Sequence, residues 1–550
     1  MVRPERRVGI LFFVTLVLLS GILLRAVWLQ GVEGSTFASQ ASSQQEDTIT
    51  IPGLRGSILD RNGRELVGSE VGASVYATPY QIKDAESEST RVAEALDVDP
   101  GSVLEAITQP GGFSYIERKV DLVRAGRVEK LGLEGIGQHP DTLRIRPQGD
   151  LAAQVIGAVS DEGKGLTGIE VAEDRALRGR DGEQRMVKDA LGDPIEMETI
   201  RDPRDGEPVQ LTIDAAIQDR AERALNRVAE AHNPVNASAI VMDARNSEIL
   251  AMANWPPVDL DDLESATAED LLNVGTSYNF EPGSTFKAFT IASALETGTV
   301  TPESTFTLAP SIQIYDRVIE ESHPRGTVSL NVGDILAQSS NVGSVTIGLQ
   351  MGGEKFSKWI NRFGFGRPTG IEYPGEERGI VLPYEDYSGS TMGNLPIGQG
   401  IAVTPIQMIA GYGALANDGI LRPPRLIQSI GDRTLPEKPG RQVVSPEVAS
   451  QVRDMLKGVL APGGTAPEVE IPGYTLAGKT GTAEIADENG YSNSRFVASF
   501  IGMAPADDPR IVVSVMVNEP QNGYYGSEVA APVFGDIASF ALPYLGVPTE

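Results

Sequence analysis

The 550-residue chain is 41% hydrophobic and 22% charged, an ordinary globular composition that argues against fibrous, low-complexity and polytopic membrane classes. Its 46 basic and 75 acidic residues leave a formal charge of −29, so the field of the whole molecule opposes binding to nucleic-acid phosphates. With no Cys and only His139, His232 and His323, it can carry no disulfide framework, thiolate nucleophile or Cys-ligated metal, and few candidates remain for Ser–His chemistry.

The first element is an uncharged run, VGILFFVTLVLLSGILL, from Val8 to Leu24, continued by the apolar Ala26 to Leu29. Its length predicts a membrane-spanning helix over residues 8–30, with Arg25 able to snorkel and Trp28 at the interface. Arg3, Arg6 and Arg7 lie in the tail of residues 1–7, which the positive-inside rule keeps cytoplasmic, leaving the body outside. The run is longer than a signal-peptide core and no clean small-x-small site follows it, which argues against cleavage. Residues 31–50, rich in Ser, Gln and Glu, read as a polar stalk.

From Ile51 short alternating runs and the turn Asp60-Arg61-Asn62-Gly63 predict strands, and residues 87–135 carry helical patterns such as SESTRVAEALDV. This region, to about Gly206, has no phosphate loop or Ser-centred motif and reads as a platform or partner-binding domain. A second region opens at Pro208 with the strand-like VQLTI. Asp214 then caps a helix with Ile217, Ala221, Ala224, Leu225 and Val228 on one face. ASAIVMD (237–243) and EILAMAN (248–254) read as an antiparallel hairpin. Strand-like runs at 479–483, 496–503 and 511–517 precede a closing helix over 529–542, broken near Pro532 and Gly535. A helix-rich stretch from about 262 to 470 separates the two groups of strands, which predicts one sheet flanked by helices.

Three clusters could carry chemistry. In EPGSTFK (281–287), Ser284 stands three residues before Lys287, so a helix starting at Ser284 places hydroxyl and ammonium on one face and offers its N-terminal field to an oxyanion. Alone, the pair equally fits a solvated helix turn. Ser339-Ser340-Asn341 is a polar cluster that also suits a helix-joining loop. Lys479-Thr480-Gly481-Thr482 could form a strand edge open to a substrate backbone and carboxylate, or an edge strand protected by its Lys. Gly473 to Thr480 also matches the phosphate-loop pattern, but Gly481 and Thr482 continue it as a strand instead of a helix. His323, in EESHP, reads as a loop residue and not a base.

The ordered triple of Ser-x-x-Lys, Ser-x-Asn and Lys-Thr-Gly resembles the signature of active-site serine penicillin-recognising enzymes. The chain as a whole resembles class B penicillin-binding proteins, most of all the septal division transpeptidases of the FtsI group. RGSILDRNG (55–63), GLTGIE (165–170), YPGE (373–376), GQGIAVTPIQ (399–408) and ALANDGI (414–420) also match family patterns.

The resemblance implies an α+β protein: a single-pass membrane anchor, an elongated mixed pedestal or dimerisation-like domain over 31–206, and a serine β-lactamase-like transpeptidase domain over 207–550 with an antiparallel sheet flanked by helices. It implies Ser284 as the acylated nucleophile, Lys287 as its base, Ser339 as a proton relay, and Asn341 as the holder of Lys287 and the substrate amide. Lys479, Thr480 and Thr482 would take the substrate carboxylate along the strand through Gly481, and the backbone N–H groups of Ser284 and Thr482 would form the oxyanion hole. No metal or cofactor is implied. The expected ligands are D-Ala-D-Ala stem peptides and β-lactams. The expected partners are a SEDS-type (FtsW-like) glycosyltransferase and other division proteins. The rival readings are an elongation-specific transpeptidase, a carboxypeptidase or β-lactamase, and a wall-assembly scaffold or β-lactam sensor without turnover.

Overall fold

A computed structural model describes residues 4–33, 46–188, 194–263, 265–487 and 490–550. Most of the expected stalk, residues 34–45, lies outside these. The apolar run forms one helix, Pro4–Gly31, and its stretch Arg6–Gly31 is long and apolar enough to cross a membrane, with none of it buried in protein. It fits a single-pass anchor.

The rest divides into two compact units. The first comprises residues up to 54, 70–143 and 179–206. Strands Glu46–Ile51, Gly182–Lys188 and Pro194–Arg201 make an antiparallel sheet with Gly182–Lys188 in the middle. Residues 72–77 pair antiparallel with Ser114–Asp121, and helices Ala85–Leu96, Pro100–Thr108 and Leu122–Glu129 close over a core of Val75, Val92, Leu96, Val103, Ile107 and Val120. Asp84, Asp99 and Asp121 each cap a helix through a side-chain oxygen, which stabilises each by about 1 kcal/mol.

The second unit comprises residues 55–69, 144–178 and 207–550, so two early segments fold with the C-terminal body and the compact units cut across a boundary at 206. Ile58, Leu66, Val67, Val155, Ile156 and Ile169 of these segments share one hydrophobic core with Leu211 and Ile427, and polar contacts reinforce it. Glu170, 1% exposed, accepts from Arg55 Nε at 2.6 Å and Arg144 Nε at 2.8 Å, and Arg55 Nη1 reaches Asp174 at 2.8 Å. Ile58–Leu59 pairs parallel to Val209–Leu211, whose other edge pairs with Ile427–Ile430. In the turn at Asp60, Oδ1 accepts from the N–H groups of Asn62 and Arg64, both at 2.8 Å, while Asn62 Nδ2 donates to Asp214 at 3.1 Å.

At the centre is a five-stranded antiparallel sheet in the order Ile249–Trp255, Asn236–Asp243, Ile511–Asn518, Gly490–Ala504, Ala477–Asp487. Its two inner strands Asn236–Asp243 and Ile511–Asn518 are buried on both faces. Ala237, Ala239, Val241, Val513 and Val515 pack with helices Ala215–His232 and Ala531–Tyr544, and the alternate residues Ile240, Met242, Val512 and Met516 join the opposite core with helix Pro405–Ala416. Ala477–Asp487 is the edge strand.

The closing helix differs from expectation. Ala531–Tyr544 runs through Gly535, and Pro532 sits in its first turn, where a missing N–H costs nothing. The stretch from 262 to 470 holds helices as expected, together with the short antiparallel pairs Thr305–Leu308 with Val328–Asn331, Ser311–Ile314 with Arg317–Glu320, and Ile420–Leu421 with Arg441–Gln442.

Candidate active site

Ser284 does not begin an α-helix. It lies in a 3₁₀ turn, Gly283–Phe286, and the α-helix Lys287–Glu296 follows. The turn is tight because Gly283 takes φ +53° and Thr285 Oγ1 donates back to Pro282 O at 2.7 Å. Two further bonds hold it from outside. Gly283 N donates to Gly398 O at 3.0 Å, and Tyr412 OH donates to Thr285 O at 2.7 Å. Gly398, at φ +77°, packs so closely that a Cβ there would lie 2.2 Å from Gly283 O. Below the turn, Phe286 meets Phe289 and Phe365 at ring separations of 5.4 and 5.2 Å, so the backbone of Ser284 rests on a packed aromatic core.

Lys287 is fully buried. Its Nζ donates to Ser339 O at 2.7 Å, Ser339 Oγ at 3.2 Å and Asn341 Oδ1 at 2.6 Å, and makes no hydrogen bond to Ser284. Burial lowers its pKa to about 7, partly opposed by the Glu321 carboxylate. A near-neutral pKa is what a lysine base needs at physiological pH.

The Ser339–Asn341 segment joins helices Val332–Ala337 and Asn341–Met351. Ser339 adopts φ +57°, unusual for a residue with a side chain, and this kink turns both its carbonyl and its hydroxyl to Lys287. Ser340 caps the second helix by accepting from Gly343 N at 3.0 Å. Glu321 fastens the loop: it accepts from Ser340 Oγ at 2.7 Å and Asn341 N at 2.8 Å, and pairs with Arg325. Asn341 Nδ2 donates to Glu320 O at 2.8 Å, which leaves Oδ1 aimed at Lys287.

Lys479 lies on the sheet's edge strand but is fully buried, so it does not shield that edge from solvent. Its Nζ donates to Thr480 O at 3.0 Å. Burial, then the charge of Lys287, pushes its pKa well below the usual lysine value. Thr480 Oγ1 bonds Thr465 Oγ1 at 2.7 Å, and Thr482 Oγ1 accepts from Gly526 N at 3.1 Å. A Cβ on Gly481 would lie 2.3 Å from Ser499 Oγ and 2.9 Å from Thr285 Cγ2, so only glycine lets this strand lie flush against the Ser284 turn. Because Lys479 and Thr480 are in a strand and not at the head of a helix, the phosphate-loop pattern has no structural counterpart.

The three clusters converge. Ser284, Asn341 and Thr482 line one cavity of about 460 Å³, while Lys287 and Lys479 are buried behind its surface. Phe496 stacks on Tyr524 at 4.5 Å, and with Tyr525 these rings form an aromatic wall. Arg317 and Gln399 also line the cavity, with Arg317 over the Tyr491 ring at 4.9 Å. His323 stays exposed in its loop, its ring 5.9 Å from that of Tyr525. The sequence reading passed over Glu321 and Arg325. The signal for them was the acidic pair beside His323 in EESHP, with Arg325 four residues after Glu321.

Comparison with known proteins gives a consistent picture. The penicillin binding protein transpeptidase domain family matches residues 237–539, and the penicillin-binding protein dimerisation domain family matches residues 50–211. The chain is similar to penicillin-binding protein PbpB of Mycolicibacterium smegmatis, at 33% identity over 97% of this chain and 90% of that one. It is also similar to peptidoglycan D,D-transpeptidase FtsI of Escherichia coli, at 30% identity over 97% and 91%. The crystal structure of penicillin binding protein 3 from Mycobacterium tuberculosis in complex with aztreonam superposes with a TM-score of 0.71 at 29% identity, covering 91% of this chain and 98% of that one.

Proposed function

The chain belongs to the class B penicillin-binding proteins and is a peptidoglycan D,D-transpeptidase, and from that premise we propose that Ser284 is its acylated nucleophile. Ser284 Oγ attacks the penultimate D-Ala carbonyl of a stem peptide and passes its proton to neutral Lys287. The backbone N–H groups of Ser284 and Thr482 hold the oxyanion. Ser339 relays a proton to the departing terminal D-Ala, and an amine of a neighbouring stem peptide then displaces Ser284 and forms the cross-link. Asn341 positions Lys287 and the substrate amide. Lys479, Thr480 and Thr482 receive the terminal carboxylate along the strand through Gly481.

The observation that carries this reading is the buried Lys287, its pKa lowered to about 7, bonded to both Ser339 and Asn341 behind the cavity that Ser284 lines. Intact-mass spectrometry of the full chain with benzylpenicillin tests it. A persistent single-drug adduct that vanishes in Ser284→Ala is expected; an adduct retained by that variant refutes the assignment.

The functional division is taken as a pedestal over 31–206 and a transpeptidase domain over 207–550, which the matched family ranges support. The N-terminus is cytoplasmic and the body extracytoplasmic, supported by Arg6 and Arg7 ahead of the apolar run. The role is septal cross-linking, with a SEDS-type glycosyltransferase as membrane partner, supported by overall likeness to the FtsI group. A fluorescent fusion confined to the division site is the expected result, and uniform side-wall labelling assigns the elongation role instead.

A further inference from the structure

A second cavity, of about 180 Å³, lies in the catalytic unit and shares no lining residue with the Ser284 cavity. Its apolar walls include Phe363, Leu421 and Pro424, and its cationic groups are Arg367, Arg422 and Arg441. No lining residue is acidic, in a chain whose net charge is −29. Among the described residues, the side chains of Arg422 and Arg441 make no ion pair, and Arg422 Nε is buried without a hydrogen-bond partner. A Cβ on Gly364 would lie 4.0 Å from Arg441 Nη2, so this guanidinium comes close to bare backbone. The nearby carboxylate of Glu376 is directed elsewhere, accepting from Thr369 N and Oγ1 at 2.6 Å and from Gly370 N at 3.1 Å.

Arginines that face one another without a carboxylate repel. Arg441 is exposed at the rim, and its partial desolvation, then Arg367 and Arg362, lowers its proton affinity. A buried guanidinium N–H without an acceptor is costly, and an oxyanion relieves both effects through paired N–H bonds. A dianion offsets several guanidinium charges better than a monoanion does. An apolar cavity of ~150 Å³ accommodates benzene, so this one takes an anionic head on a ring-sized stem and no polymer segment.

We propose that this cavity binds the phosphoryl oxyanion of a small phosphomonoester, with Arg422 and Arg441 holding the oxygens and the Phe363, Leu421 and Pro424 wall taking the stem. The test is calorimetry on the full chain in detergent with phenyl phosphate, inorganic phosphate and benzoate at fixed ionic strength. Saturable binding in the order phenyl phosphate, inorganic phosphate, benzoate is expected, weakened about tenfold or more by Arg422→Gln and by Arg441→Gln. Both variants should still be acylated by benzylpenicillin, which checks their fold independently. No saturable binding of phenyl phosphate, benzoate binding as tight as phenyl phosphate, or variants binding like wild type would each overturn the proposal. Monomeric dihexanoyl phosphatidic acid separates the sources: tighter binding than phenyl phosphate assigns a lipid headgroup, and weaker binding a soluble phosphomonoester.

Discussion

Lys287 Nζ lies 2.6 Å from Asn341 Oδ1, and the fixing of Asn341 Nδ2 on Glu320 O determines which end of that amide the ammonium meets. The candidate base is therefore oriented by a loop 54 residues away in sequence, and not by its own helix.

The first prediction concerns pH. Lys287 accepts a proton only when neutral, so penicillin acylation rises with pH through about 7, and replacement by Arg flattens the profile and slows acylation by ~10²-fold or more. Stopped-flow acylation between pH 5.5 and 8.5 measures this. Stability moves the same way. Between pH 7 and the ordinary lysine value the unfolded chain binds a proton that the folded chain does not, so this group favours folding more as pH rises, and Lys287→Met abolishes that slope.

Glu321 raises the proton affinity of Lys287 and braces the loop that holds it. Glu321→Gln should shift the acid limb of the acylation profile to lower pH while reducing the plateau rate. An unmoved limb would mean that the carboxylate acts only as a brace.

Gly398 has no room for a methyl group, with Gly283 O 2.2 Å from the ideal Cβ and φ at +77°. Gly398→Ala should displace the Ser284 turn, costing about 1–3 kcal/mol of stability and most of the acylation rate. Urea unfolding monitored by Trp fluorescence, run beside the acylation assay, reads both.

Glu170 neutralises two arginines in a nearly dry environment. Glu170→Ala leaves Arg55 and Arg144 facing each other and should destabilise the catalytic unit by about 3–5 kcal/mol. Acylation of the fraction that remains folded should be close to wild type, because none of these residues lines the Ser284 cavity.

What the sequence made legible was local. The Asp214 cap, the hairpin at 236–255 and the strands around 479–483, 496–503 and 511–517 follow from short-range pattern, and the structure forms all of them. The motifs holding Ser284, Lys287, Ser339, Asn341 and Lys479, which the structure brings together, were visible in the sequence because each is compact. The 3₁₀ form of the Ser284 turn was not, since it depends on Gly398 and Tyr412 more than a hundred residues later. The Arg55–Glu170 pair, 115 positions apart, leaves no periodic trace, and so the grouping of residues 55–69 with 144–178 in one compact unit is not visible in the sequence. Pro532 was read as a breaker because its effect depends on which turn of the helix it occupies.

Lys479 carries a depressed pKa, set first by burial and then by the charge of Lys287. On the role proposed for Lys479, a ligand carboxylate received there makes the charged amine favourable again, so complex formation draws a proton from solution. Its apparent enthalpy then varies with the ionisation heat of the buffer, and ligands that keep the carboxylate are separated from those that lack it by the number of protons they take up on binding, independent of their affinity.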